Sequence, residues 1–428
     1  MKQLKKFWAF LSKNKSSILI IAIFLLGIFL RMYQMDFKYP FGYDQVDNAW
    51  AAKNIIVNHR FTLVGMVAKV DSGIYIGPAY YYLVALFYFI CNLNPEASHA
   101  VAIISSIFTF WTIFYVFKKL FSTEFAVIAV LINTFNYHAL NFDSVQWPVQ
   151  LLPGVSLIIF YLLYKVVLGD VKKIIPLAIA VGITFNLHFT AIFFSMIIFL
   201  SLPLFPRTKN TLKYIFLSLP FFLVWLVPNI IYMILNKSSN SNFTSYISTY
   251  YHGFHLKRVF QLLGDGLIQF NPYLVIDKIA PLKIILFPLF FLVYILKSIA
   301  SESNKFLYLI LLWFAVPLLV FVTYSGEISD YYFAINRFIV LLILSYFVYL
   351  IWRARYSVVK ISVAIFIFVY CAYGFVSYLP HKEIGLYERG KTVEQAVNKG
   401  RKIGFKAGVP ESYLYWYYMK TVKGVNVY

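Results

Sequence analysis

The chain has 428 residues, of which 61% are apolar and 20% aromatic and only 13% charged, against about 25% charged in an ordinary soluble domain. No single water-facing core hides that much apolar surface, so lipid must solvate part of it and a water-soluble enzyme is excluded. The formal charge of +21 comes from basic residues scattered between apolar runs, not from a basic stripe interleaved with aromatics, which speaks against a nucleic-acid binder.

In chain order, the first element is MKQLKKFWAFLSKNKSS followed by an apolar run, and it reads as an uncleaved anchor because a small-residue cleavage site is missing. Membrane spans are expected at 17–35, 97–117, 125–140, 147–164, 174–187, 190–205, 213–235, 281–298, 306–324, 332–351 and 358–378. Most approach the ~20 residues that cross roughly 30 Å of hydrocarbon. The runs are continuous rather than alternating, so they are helices and not barrel strands.

The run 78–93 is set apart as an interface-lying or re-entrant helix. With that parity the inner loops hold 18 basic residues against Glu124, Asp170 and Glu302. Counting 78–93 as a span would turn the basic pairs outward, against the positive-inside rule. The stretch 174–206 is divided at Asn186–Leu187–His188, because one long helix would separate Lys172/Lys173 from Arg207/Lys209. The expected architecture is an all-α polytopic membrane protein of about eleven spans. One membrane domain covers 1–378, with long outer segments at 36–96 and 236–280 and a short extracytoplasmic tail at 379–428. The N-terminus is expected on the cytoplasmic side of a plasma or inner membrane.

Candidate chemistry gathers on the outer side. The segment FGYDQVDNAWAAKNIIVNHRF (41–61) predicts a helix over roughly 45–58 with Asp44 as its N-cap and Asp47 one turn on. Val46, Trp50 and Ile56 give it an apolar side suited to the membrane plane, and Lys53, Arg60 and Lys69 follow it. Asp143 lies in the outer loop NFDSVQWPVQLLP, and His188 lies at the break in 174–206. The segment GEISDYYFAINRF (326–338) carries Tyr332 and Arg337. Arg337 enters an apolar run, where it needs an anionic or polar partner or must snorkel to the headgroups. Each residue also has an ordinary reading: Asp44 as a cap, Asp143 as solvated surface, His188 as a histidine bonded within the bundle. Their common side favours one cavity in which carboxylates deprotonate an acceptor and cations hold a leaving phosphate. Cys91 and Cys371 form no CxxC motif and the seven histidines no HExxH, so nothing requires a metal or other cofactor, and a divalent metal, though open, has no motif to support it.

These motifs resemble the GT-C superfamily of glycosyltransferases, in particular the protein O-mannosyltransferases and the lipid A aminoarabinose transferases. The acidic pair is matched by YDQVDNAW (43–50), the entry to a second interface helix by GIYIGPAYYYLVALFYF (73–89), the later proline element by WPVQLLP (147–153), and an H-x-T by His188–Phe189–Thr190. Two positions depart from the pattern: Val46 replaces a usual arginine, and WPVQLLP lacks an asparagine. The resemblance implies inverting transfer of a sugar from a polyprenyl-phosphate donor to a glycan, lipid or protein acceptor at the outer face. Asp44 is then the general base, with Asp47 and Asp143 as further acids. The lipid phosphate falls to Lys53, Arg60, Lys69 and Arg337 with Tyr81 and Tyr332, and His188 lines the cavity. The loop 236–280 would close over a substrate. A lipid-linked polymerase or ligase shares this profile, and a secondary transporter is the rival from another class. A transporter would place its acids within spans and show repeated halves, and this sequence shows neither.

Overall fold

The computed structural model describes residues 15–68, 72–251, 253–254, 257–258, 304–406 and 408–427. Among them the regular structure is helical, with isolated β-bridges only at Val67–Tyr75 and Tyr251–Tyr324. The elements are α1 (Lys15–Met32), α2 (Met35–Lys38), α3 (Tyr43–Ile56), α4 (Ala79–Ile90), α5 (Ala97–Leu120), α6 (Thr123–Phe135), α7 (Tyr137–Asp143), α8 (Leu152–Val167), α9 (Ile174–Thr184) and α10 (Ile192–Ser201). There follow α11 (Lys209–Leu223), α12 (Val227–Leu235), α13 (Lys237–Tyr250), α14 (Asn304–Val322), α15 (Arg337–Trp352), α16 (Ser357–Tyr378), α17 (Leu386–Asn398) and α18 (Pro410–Val422). The expected span 281–298, the N-terminal lysines up to Lys13, Lys69 and most of the expected lid beyond 254 lie outside the described residues.

Five described helices are long and apolar enough to cross a membrane, or seven if each of two bent pairs is one span. The expected count of eleven is not confirmed by helix length among the described residues, where several of the expected spans are broken. The run expected at 125–140 bends by 71° between α6 and α7. Asn136 makes the corner, its side chain accepting from Ala139 N at 2.8 Å to cap α7. The span expected at 213–235 bends by 54° between α11 and α12. The run set apart at 78–93 forms α4, whose 12 residues reach roughly 18 Å at about 1.5 Å per residue, too short to cross.

The division of 174–206 explains how an irregular backbone survives among apolar helices. Between α9 and α10 the chain leaves helical geometry, which strands peptide groups that need partners. Gly77 N–H donates to Phe185 O at 2.9 Å, and the Asn186 side chain accepts from Ala79 N at 3.1 Å, capping the start of α4. A β-carbon on Gly77 would overlap the Asn186 amide. Only glycine lets α4 and the break lie this close, so the Gly77–Pro78 entry and the broken helix are one joint.

The core gathers where α8, α14 and α15 meet. The Trp313 ring packs edge-on to Phe160 at 5.3 Å and to Phe338 at 6.1 Å. Its indole N–H donates to Ser156 Oγ at 3.0 Å, and that hydroxyl donates to Ile335 O at 2.7 Å. The Trp313 indole N–H and the Ser156 hydroxyl are thus both paired, as burial favours. The tail does not stand apart from the bundle: α17 packs on α2 and α18 on α3. Lys38, fully buried, donates to the carbonyls of Tyr378, Leu379 and His381 at 2.7, 2.8 and 2.9 Å, tying α2 to the end of α16.

Candidate active site

Helix α3 carries the first acids, and its start differs from expectation. The N-cap is Gly42, whose N–H donates to the Gln45 side chain at 2.9 Å. Asp44 is the second helical residue and caps nothing, which removes its ordinary role. Gln45 also donates from Nε2 to Gln146 O at 2.8 Å, and Gln146 Nε2 donates to the Tyr80 hydroxyl at 2.8 Å. Three segments distant in sequence are thereby fixed around Asp44: α3, α4 and the turn before α8.

Asp44 lines a small chamber of about 80 Å³ with Met66, Trp147, Leu187, His188 and Tyr331. Burial in this setting, and then the charge of Asp47, raise its carboxyl to a pKa of about 6. Asp47, one turn along the same face, accepts a hydrogen bond from the Tyr81 hydroxyl. Burial raises Asp47 and that bond opposes the rise. Asn48 donates to Asp44 O at 2.5 Å, while its own Oδ1 is buried without a hydrogen-bond partner among the described residues.

Against the chamber lies an apolar cavity of about 420 Å³, bounded by Phe185, Phe189, Met196, Leu226, Tyr246 and Val320 among others. The two share Ala68, Ile76 and His188 in their walls. His188 bonds through Nδ1 to the Thr190 hydroxyl at 2.9 Å and begins the turn into α10. The H-x-T spacing is thus a local bond that orients a ring on the junction of both cavities. No Lys or Arg among the described residues lines either one.

Several candidates are placed elsewhere. Asp143 faces Arg31, which donates from Nε at 2.8 Å and from Nη2 at 2.5 Å to the same carboxylate oxygen, with Arg31 fully buried. Its loop is not solvated surface. Arg337 is also buried, its guanidinium 3.6 Å from the centre of the Phe142 ring, so it does not snorkel. Lys53 turns away from the chamber, lying 5.6 Å over Trp50 and 5.5 Å over Trp416 of the tail. Arg60 is exposed. Tyr332 is buried against Phe189 and Phe321, whereas its neighbour Tyr331 reaches the chamber. The residues sequence reasoning missed are Arg31, Gln45, Tyr80, Gln146 and Tyr331. Arg31 alone had a signal, the same one as Arg337: a cation inside an apolar run. Among the described residues no three His, Cys, Asp or Glu side chains gather as a metal site.

Residues 76–232 match the family described as dolichyl-phosphate-mannose-protein mannosyltransferase. The fold is similar to that of ArnT from Cupriavidus metallidurans bound to undecaprenyl phosphate, with a TM-score of 0.54 and 12% identity over 94% of this chain and 74% of that one. The same protein in its apo state gives a TM-score of 0.53 and 13% identity over the same shares. Curated proteins give no significant match.

Proposed function

From the family match over 76–232 and the likeness of the fold to ArnT, we propose that this chain is a membrane glycosyltransferase of the GT-C type that takes a sugar from a polyprenyl-phosphate donor and passes it to an acceptor hydroxyl at the extracytoplasmic face. The observation that carries this reading is the half-buried, uncapping Asp44, which with His188 and Tyr331 brings polar groups into a small chamber that shares a wall with a large apolar cavity. The polyprenyl chain suits the apolar cavity, and the phosphate and sugar suit the junction at His188. Asp44 accepts the proton of the acceptor hydroxyl as that oxygen bonds to the anomeric carbon. The carbon–oxygen bond to the lipid phosphate breaks on the opposite side, its electron pair leaves with the phosphate, and the configuration inverts. A carboxyl near pH 6 is ionised at neutral pH yet more basic than a solvated aspartate, which favours general-base work. Tyr81 holds Asp47 in place, which fits an orienting role for that acid. With no described cation on either cavity, the leaving phosphate falls to Lys69, one residue beyond Ala68 in sequence, or to a group brought by the substrate.

The test is direct. The purified protein in nanodiscs is titrated with undecaprenyl phosphate, and the envelope glycans and glycolipids of cells lacking the protein are compared by mass spectrometry with those of cells restored by wild type or Asp44→Asn. The reading expects lipid binding by both forms and a glycan restored by wild type alone. Restoration by Asp44→Asn would remove Asp44 from the chemistry. No binding together with no changed glycan would end the transferase reading.

A further inference from the structure

Resting on the reading of Asp44 as the base, we infer that Tyr43, seated on Gly408 of the C-terminal tail, is the residue that positions the acceptor. The argument begins with α3. Residues 43, 44 and 47 fall within one arc of the helix, since positions four apart are neighbours. Asp44 faces the chamber, while Trp50, two turns beyond Tyr43, faces the tail and meets Phe405, Tyr413 and Trp416 at 5.1, 5.2 and 5.9 Å between ring centres. Tyr43 stands at the end of that seam nearest Asp44. It is 59% exposed, unlike the buried Phe41 two residues before it, so its ring is a free aromatic surface beside two carboxylates.

The tail holds the ring there. Gly408 has φ of +76°, a backbone that favours glycine, and a β-carbon on it would overlap the Tyr43 ring. The glycine therefore answers two demands, one of backbone and one of contact. Gly400, also in the tail with φ of +69°, has open space where its β-carbon would be. It repeats the backbone demand without the contact. The tail is anchored independently of this point: the buried Tyr413 donates its hydroxyl to Leu93 O at 2.9 Å, and Arg389 donates to Glu411 at 2.7 Å. A donor lying across the apolar cavity and the His188 junction would leave the Tyr43 side of Asp44 for the acceptor. An aromatic ring offers an apolar face to the acceptor's carbon skeleton while the neighbouring carboxylate takes its proton.

The experiment uses the full chain in cells lacking the protein, with the envelope glycan restored by wild type as the product and undecaprenyl phosphate in nanodiscs as the donor-side probe. Tyr43→Ala and Gly408→Ala should each lower the product about tenfold or more, because small misplacements of a reactant are costly. Neither should change undecaprenyl phosphate affinity. Tyr43→Phe should restore the product, and Gly400→Ala should leave it near wild type. Gly408→Ala added to Tyr43→Ala should cost little more, since the clash is then gone. A Gly408→Ala effect no larger than that of Gly400→Ala would overturn the proposal. So would a Phe variant as poor as the Ala variant, or loss of undecaprenyl phosphate binding in Tyr43→Ala, which would place the ring on the donor side. If Gly408→Ala does not fold, Tyr43→Ala and Tyr43→Phe decide. If wild type binds no undecaprenyl phosphate and restores no glycan, the transferase reading fails and takes this inference with it.

Discussion

Asp44 is half-buried and Asp143 buried, and the regions around them are built in opposite ways. Asp143 meets a fully buried arginine that spends two donors on one of its oxygens. Its backbone carbonyl also accepts from Gln150 Nε2 at 2.9 Å. Among the described residues no Lys or Arg lines the chamber of Asp44; hydrogen bonds fix its helix and its neighbours, and the carboxyl is left facing that chamber. The neutralised acid joins helices, whereas the uncompensated one is the acid that the proposed function makes the base. The contrast teaches that burial alone does not mark a catalytic group; what decides is whether the fold supplies the counter-charge.

The largest expected effect tests the uncompensated acid. Asn is nearly isosteric with Asp and removes only the proton acceptor. Asp44→Asn should therefore lower transfer by about 10²–10⁴-fold, the usual share of general-base catalysis, with thermal stability maintained. The pH profile sharpens this. A base with a pKa of about 6 must be ionised to work, so activity should rise as pH rises through 6 and level off above it. That limb should vanish from whatever activity Asp44→Asn retains. The stability sign is the reverse: a carboxyl raised on folding favours the folded state when protonated, so its contribution falls as pH rises from about 4 through 6. Asp44→Asn should then be no less stable than wild type at neutral pH, as thermal unfolding by intrinsic fluorescence would report.

The compensated acid should respond in stability. Asp143→Asn leaves the Arg31 charge buried with the carboxylate it pairs with gone, and breaking such a pair costs about 3–5 kcal/mol. Expression and unfolding temperature should drop sharply, while transfer per folded molecule changes far less than in Asp44→Asn. Replacing both partners, Arg31→Met with Asp143→Leu, should recover much of the loss. A fully stable Asp143→Asn protein with transfer lowered a hundredfold would dissolve the contrast and return Asp143 to the chemistry.

The contrast also shows where the sequence was legible. Continuous apolar runs, basic loops and the Gly77–Pro78 entry were enough for an all-α membrane fold with a helix at 79–90 too short to cross. The break at 185–188 was readable from sidedness. The order of YDQVDNAW, GPAYYY and H-x-T marked Asp44 and His188. What stayed hidden was pairing across long separations. Arg31 and Asp143 are 112 residues apart, and nothing local to either says that they meet. Lys53 follows the acids by less than three turns, yet its direction is set by Trp416 of the tail. Tyr331 and Tyr332 could not be told apart because a 3₁₀ segment, Asp330–Asn336, turns neighbouring residues to different faces.

The joint between α4 and the break gives the next effect. Asn186→Ala removes the cap of α4 and two weak donor contacts to Gly182 O and Trp225 O at 3.5 and 3.4 Å. Loss of a cap of this kind costs about 0.5–2 kcal/mol. Because His188 is two residues on, transfer should fall along with stability, and undecaprenyl phosphate affinity should weaken severalfold. A stable Asn186→Ala protein with normal affinity would show that the joint does not position the junction between the two cavities.

The smallest effect belongs to Lys53, and it decides whether the Asp44 region truly lacks its own cation. The ammonium sits against Trp50 and Trp416, and burial followed by the charges of Lys420 and Arg60 lowers its pKa. Cation–π contacts of this sort contribute about 0.5–1 kcal/mol at exposed sites and more when desolvated. Part of that is offset here by the cost of burying the charge, and the stem keeps its own apolar contact in a straight-chain replacement. Lys53→Met should thus shift the unfolding temperature only slightly. Undecaprenyl phosphate affinity should stay within twofold of wild type, since the ammonium points to the tail and not to the chamber. Lys69→Met in the same assay should weaken binding about tenfold if that residue serves the phosphate. A tenfold loss in Lys53→Met would mean that the side chain leaves Trp416 and reaches the donor. The chamber would then carry a counter-charge of its own, and Asp44 would be closer in kind to Asp143 than the packing of α3 against the tail implies.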